Sequence, residues 1–150
     1  MQVMWECSSI NLVCGPKVNS DIDGASNDNS GTSVSLSGNG RIVAIGAAGY
    51  DDGGSEACHV RVFELQSGVW VKVGPDIDGE AAGDHSGGSV SWSSGDGNVV
   101  AIAADNNSDG GALSGHVRVF KLQNDDWAQL GPDCIREAAG DRSGCSVSLS

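Results

Sequence analysis

The chain has 150 residues, at most one ordinary domain, with 8 Lys and Arg against 20 Asp and Glu and a formal net charge of −12. A phosphate backbone or an anionic lipid surface calls for clustered cations, so nucleic acid and membrane docking are both disfavoured, and no apolar run approaches the roughly 20 residues that span a bilayer. Gly counts 23, Pro only 3, and 39% of the chain is apolar, which suits many short strands joined by tight turns and does not suit disorder.

In chain order, residues 1–32 read as a degenerate amino-terminal segment. Trp5 belongs to the expected last strand of a preceding unit, and Asp21-Ile22-Asp23-Gly24 opens an inter-unit loop. Met1 to Glu6 lack the basic start and apolar stretch of a signal peptide. Residues 33–73 form a first four-strand unit. Ser33-Val34-Ser35-Leu36 alternates polar and apolar, a half-buried strand. Ile42 to Gly46 is apolar throughout, a strand covered on both faces. Asn39-Gly40 between them predicts a type I′ turn, whose two central residues need positive φ. His59 to Leu65 is the third strand, with Val60 and Val62 on one face and Phe63 and Leu65 on the other. Val69 to Val73 is the fourth, keeping one apolar face through Val71 and Val73. Residues 74–88 are an inter-unit loop.

Residues 89–130 repeat this plan. His59-Val60-Arg61-Val62-Phe63-Glu64-Leu65-Gln66 recurs 57 residues later as His116-Val117-Arg118-Val119-Phe120-Lys121-Leu122-Gln123. Trp70, Gly74-Pro75-Asp76 and Glu80-Ala81-Ala82-Gly83-Asp84 return at the same offset as Trp127, Gly131-Pro132-Asp133 and Glu137-Ala138-Ala139-Gly140-Asp141. Val99 to Ala103 matches Ile42 to Gly46, and Asp96-Gly97 takes the place of Asn39-Gly40. Residues 131–150 hold the next loop and the first strand of a third unit, Ser146-Val147-Ser148. A four-stranded antiparallel unit in tandem is the pattern of a propeller blade. The expected fold is all-β: an incomplete β-propeller of about 2.5 blades with a 57-residue repeat. Closed propellers take about 4–8 blades. The expectation is therefore a piece of a larger propeller, its flanks covered by missing blades or by self-association.

Five cysteines, Cys7, Cys14, Cys58, Cys134 and Cys145, fall at irregular spacing, and three of them replace Gly115, Ile77 and Gly88 type positions in the other unit. They read as scattered small residues, not a disulfide framework or a zinc pair; Cys7 with Cys14 is the one local pair worth testing. The candidate metal residues are Asp76, Asp78, Glu80 and Asp84, alternating carboxylates around Gly79 that suit a Ca²⁺ loop. Against this, Asp78-Gly79 becomes Ile135-Arg136 in the next copy, and Asp and Gly also serve plain turns. A second acidic loop runs from Asp105 to Gly110, and Asn106-Asn107-Ser108 is a glycosylation sequon. Asp84-His85-Ser86 has the letters of a hydrolytic triad, but consecutive residues do not assemble one. No catalytic residue and no required cofactor is expected. His59 and His116 occupy one repeated place and read as strand-end hydrogen-bonding residues; Trp70 and Trp127 read as packing between units, and Trp92 as core.

Ser86-Gly87-Gly88-Ser89-Val90-Ser91 followed by Val100-Ala101-Ile102, and Ser30-Gly31-Thr32-Ser33-Val34-Ser35 followed by Val43-Ala44-Ile45-Gly46, resemble FG-GAP repeats, the blades of the integrin α-subunit amino-terminal propeller. The Phe of Phe-Gly is Ser30, Ser86 and Ser143 here, and Gly-Ala-Pro becomes Gly46-Ala47-Ala48. The resemblance implies a non-catalytic binding or adhesion module, a protein or glycan ligand, and an extracellular or cell-surface location. It also implies a Ca²⁺ loop between the first two strands, which the tight Asn39-Gly40 connection does not accommodate. The competing readings are part of a propeller-fold glycan-active enzyme, with carboxylates on a central axis, and a degenerate fragment without independent activity.

Overall fold

A computed structural model describes residues 21–49, 58–93, 98–135 and 138–150. The described residues form two antiparallel sheets and no helix. The first sheet orders β1 (Ser30–Leu36), β2 (Ile42–Ala47), β3 (His59–Gln66) and β4 (Val69–Lys72) side by side, with the short β5 (Ile77–Asp78) following β4 along the edge of β3. The second repeats this with β6 (Ser86–Trp92), β7 (Val99–Ala104), β8 (His116–Gln123), β9 (Asp126–Gln129) and β10 (Cys134–Ile135). Even the register is copied: Val34 faces Ile45 as Val90 faces Ile102, and Val43 faces Phe63 as Val100 faces Phe120. The four-strand meander expected from the repeat is present twice. The two-residue strands β5 and β10 were beyond the reach of any periodicity.

The turns differ from expectation in an instructive way. Ser37 and Ile42 close the β1–β2 connection, Gly40 N–H bonds to Ser37 C=O at 2.8 Å, and only Gly40 has positive φ, at 69°. Asn39 keeps negative φ because its Oδ1 is engaged, accepting from Ser37 Oγ at 2.8 Å and Arg41 N–H at 2.9 Å. The side chain thus ties a four-residue loop, and a two-residue type I′ turn is not formed there. Type I′ geometry appears instead between β3 and β4, where Ser67 and Gly68 both have positive φ, and between β8 and β9, where Asn124 and Asp125 do. The counterpart Asp96-Gly97 lies outside the described residues.

The two sheets stack face to face. Side chains alternate across a strand, so one face of the first sheet carries Ala44, Val60, Val62 and Ile77, and the facing side of the second carries Val90, Trp92, Val100, Ile102 and Phe120. All are buried and form one core, with Ile42, Val73 and Trp127 packed at its margin. Trp92 meets Trp127 edge-on, centroids 6.1 Å apart. Trp127 lies against Gly74 of the first sheet: a Cβ there would sit 2.7 Å from the indole Nε1. This contact joins the repeated Trp of the second unit to the repeated Gly-Pro-Asp segment of the first. On the apolar face expected of the fourth strand, Val73 packs against the core, whereas Val71 is exposed.

Alternating serines explain themselves at the seam. Ser33 Oγ donates to Gly87 C=O at 2.7 Å, and Ser35 Oγ accepts from Trp92 N–H at 2.9 Å. Gly87 is a glycine by necessity: φ is +86°, and a Cβ would crowd Val60 Cγ2 at 3.0 Å and Gly46 Cα at 3.2 Å. The same seam forms again beyond the second sheet. Ser89 Oγ and Ser91 Oγ accept from Val147 and Leu149 N–H at 3.1 and 2.9 Å, and Gly144 presses on Ala103 and Val117 as Gly87 does on Gly46 and Val60. Residues 143–149 therefore dock on the second sheet as β6 docks on the first. On the other flank Val34 and Leu36 are 56% and 57% exposed, although their repeat equivalents Val90 and Trp92 are 7% and 4% exposed.

Candidate functional site

In each meander the β1–β2 and β3–β4 type turns fall at one end, and the β2–β3 type loop and the link to the next unit fall at the other. Every acidic candidate lies at this second, loop-rich rim. Asp84 is buried, and its carboxylate organises the link. Oδ2 accepts from Glu80 and Ala81 N–H at 3.1 and 3.3 Å, and Oδ1 accepts from Ser86 N–H at 3.1 Å. Asp28 does the same one unit earlier, accepting from Ala25 and Ser30 N–H at 2.7 and 2.9 Å. Burial alone would push the Asp28 carboxyl up. These N–H groups, with the charges of Arg61 and His59, outweigh it and hold the carboxyl below its ordinary value.

The residue between each such Asp and the following Ser turns left-handed: Asn29, His85 and Arg142 have φ of 50°, 58° and 47°. What recurs there is a backbone conformation, which is why the side chain varies. His85 accordingly stands 3.0 Å from Asn106 Nδ2 and 3.5 Å from Asp105 Oδ1, with Ser86 buried in β6. Ser86 Oγ has no hydrogen-bond partner among the described residues, so it is not paired with His85.

Asp76 pairs with Lys72 and with Arg61 Nε, the latter at 3.2 Å. Burial pushes its carboxyl up, but the hydrogen bonds and charges of Lys72 and Arg61 prevail and lower it. Asp78 is exposed, and its backbone carbonyl accepts from Arg118 Nη2 at 2.8 Å. The guanidinium of Arg118 is buried, lies 5.3 Å from the Phe120 ring centroid, and stands 3.6 Å from Glu80 Oε1. So Asp76, Asp78, Glu80 and Asp84 do not converge on one point. Asp84 faces backbone N–H groups, Asp76 faces two cations, Asp78 points to solvent, and Glu80 turns towards β8.

Glu80 instead meets residues that the sequence pattern did not join to it. Glu80, Asp109 from the β7–β8 loop and His116 at the start of β8 place ligand-type atoms within 4.8 Å of one another. His116 Nδ1 lies 3.8 Å from both Glu80 Oε2 and Asp133 Oδ2. Asp133 Oδ1 is held by Gln129 Nε2 at 2.6 Å. His116 is completely buried, and neither ring nitrogen has a hydrogen-bond partner among the described residues. The strand-end hydrogen bond expected of it is not made. No local spacing could have announced this set, because its members come from three separate loops and a strand end.

The calcium loop implied between the first two strands finds no cage. Residues Ser37 to Arg41 carry no carboxylate, and Asn39 Oδ1 is already engaged twice. Among the cysteines, Cys58 is buried and Cys134 and Cys145 are exposed, all free. Burial, reinforced by the Asp84 charge, pushes the Cys58 thiol up and keeps it unreactive. Cys7 and Cys14 lie outside the described residues, as does Trp5.

No curated protein matches the chain. Residues 20–63 match the FG-GAP repeat family. That stretch covers the Asp28 cap, β1, β2 and most of β3; it includes Ser33 of the serine seam and the register shift of β1 on β2 between Ser30 and Ser33. The chain thus carries an FG-GAP repeat at residues 20–63, within an all-β pair of like sheets.

Proposed function

We propose that this segment is a non-catalytic binding module of the adhesion type, acting at an extracellular or cell-surface location, with the loop-rich rim as its contact surface for a cation-bearing protein ligand. One observation carries the reading: repeated Asp, Arg and Ser side chains are engaged in building the scaffold. Asp28 and Asp84 cap loops, Arg61 and Arg118 fasten the links, and the serines join the sheets. The rim carries exposed carboxylates at Asp23, Asp78, Asp109 and Asp141. A rigid sheet stack with variable acidic loops suits charge-steered protein recognition. The open Val34 and Leu36 flank is the place for a further blade or a second copy.

The experiment is biolayer interferometry against an oligolysine peptide over a salt series, beside a panel of fluorogenic glycosides. Expected is saturable binding that weakens with salt. It falls in the Asp23→Asn/Asp141→Asn double variant and is unchanged in Asp125→Asn/Asp126→Asn at the opposite end. Equal loss in both variants removes the rim from the account. Glycoside turnover above buffer removes the non-catalytic reading.

A further inference from the structure

We infer that Glu80, Asp109 and His116, with Asp133 beside them, form a binding site for one divalent transition-metal ion of the zinc class. The site stands on its own geometry and does not depend on the binding role proposed above. Three elements bring the set together: the inter-sheet link supplies Glu80, the β7–β8 loop Asp109 and the first residue of β8 His116. The ligand-type atoms of these three lie within 4.8 Å of one another, a span that a single ion can bridge. Asp133 Oδ2 reaches the same imidazole edge at 3.8 Å.

His116 turns an acidic cluster into a site. A wholly buried imidazole with both nitrogens lacking hydrogen bonds is costly, since buried polar groups in folded proteins are nearly always satisfied. At 3.8 Å neither Glu80 nor Asp133 supplies that bond. A bridging water would satisfy one nitrogen and leave three carboxylates facing one another, with Arg118 attending Glu80 alone. A dication takes the one imidazole lone pair and also neutralises the carboxylates, which a water does not; the second ring nitrogen is left without a hydrogen bond among the described residues.

Second contacts already orient the carboxylates. Arg118 stands by Oε1 of Glu80 and leaves Oε2 towards His116; Gln129 holds Oδ1 of Asp133 and leaves Oδ2. The donor set selects the metal. One imidazole nitrogen with two or three carboxylate oxygens suits Zn²⁺ and its neighbours, whereas Ca²⁺ asks for six to eight oxygens.

The test is equilibrium dialysis of the full chain against Zn²⁺, with Ca²⁺ as competitor and Co²⁺ as spectroscopic substitute. Expected is one equivalent of Zn²⁺, undisturbed by millimolar Ca²⁺, and a Co²⁺ spectrum without thiolate charge transfer. Loss of a ligand weakens affinity at least about tenfold, because outer contacts alone are typically worth that much. His116→Gln can fail to fold, so the exposed ligands carry the test. Asp109→Asn and Glu80→Gln each weaken uptake, and Asp76→Asn does not. The inference is overturned by absence of saturable uptake, by uptake unchanged in Asp109→Asn and Glu80→Gln, by uptake lost in Cys134→Ser, or by Ca²⁺ displacing Zn²⁺.

Discussion

Val34 and Val90 are the same residue at the same place in successive repeats, one 56% and the other 7% exposed. Val34→Ala and Val90→Ala therefore make a matched pair in which strand propensity cancels, since both sit on the first strand of a sheet beside a central one. Each change removes two methyl carbons, worth about 0.8 kcal/mol apiece when buried. At Val90 the loss is nearly complete, and a cavity opens against the other sheet. The cost there is about 2–3 kcal/mol. At Val34 more than half of the side chain already meets water, and the cost is within about 0.5 kcal/mol. The assay is urea unfolding followed by tryptophan fluorescence at low protein concentration, with Trp92 in the interface as reporter. The difference of roughly 2 kcal/mol corresponds to about 4–8 °C in Tm for a chain of this size. Equal costs at the two positions would refute the reasoning, because Val34 would then be covered as well as Val90.

Three further outcomes follow from the same contacts. Ser35→Ala removes the acceptor of Trp92 N–H and costs about 1 kcal/mol; amide exchange at Trp92 accelerates while that at Val100 stays slow, and unchanged exchange at Trp92 contradicts the seam. Asp84→Ala leaves three N–H groups without their acceptor and destabilises by about 2–4 kcal/mol, Asp84→Asn by less, measured by the same urea titration; a neutral result would show the cap to be dispensable. Asp76 is depressed in the folded chain, so its contribution is fully present above the unfolded carboxylate value of about 4 and is lost as pH falls below it. In Asp76→Asn the stability-against-pH curve is lower at neutral pH and flatter below about pH 4; an unchanged acid limb would mean that the Arg61 and Lys72 pairing contributes nothing.

The sheets were legible because their signal is written twice. The recurrence of His59 to Gln66 as His116 to Gln123 fixes β3 and β8, and the apolar runs at Ile42 and Val99 fix β2 and β7. Alternation of Ser and Val fixed β1 and β6 as strands, but it did not reveal that the serines stitch one sheet to the next, because that contact is some 57 residues away. The Asn39-Gly40 turn was misjudged since a dipeptide preference ignores the side-chain bonds that Asn39 makes once the loop closes. The candidate carboxylates were visible as a loop, yet spacing cannot tell a carboxylate that faces N–H groups, as Asp84 does, from one that faces an imidazole, as Glu80 does. Repetition with His59 gives His116 the look of a structural residue. Its convergence with Asp109 and Glu80 depends on how the inter-sheet link and the β7–β8 loop meet the start of β8, which no local pattern encodes.

The central claim is that like sheets lie on one another in a fixed, repeated register. Nuclear Overhauser spectroscopy on isotope-labelled protein reads this directly at the Ser35–Trp92 seam. The account predicts cross-peaks from the Trp92 amide proton to the Ser35 β-protons and between the α-protons of Gly46 and Gly87. Intact contacts within each sheet with neither of these between the sheets would contradict it.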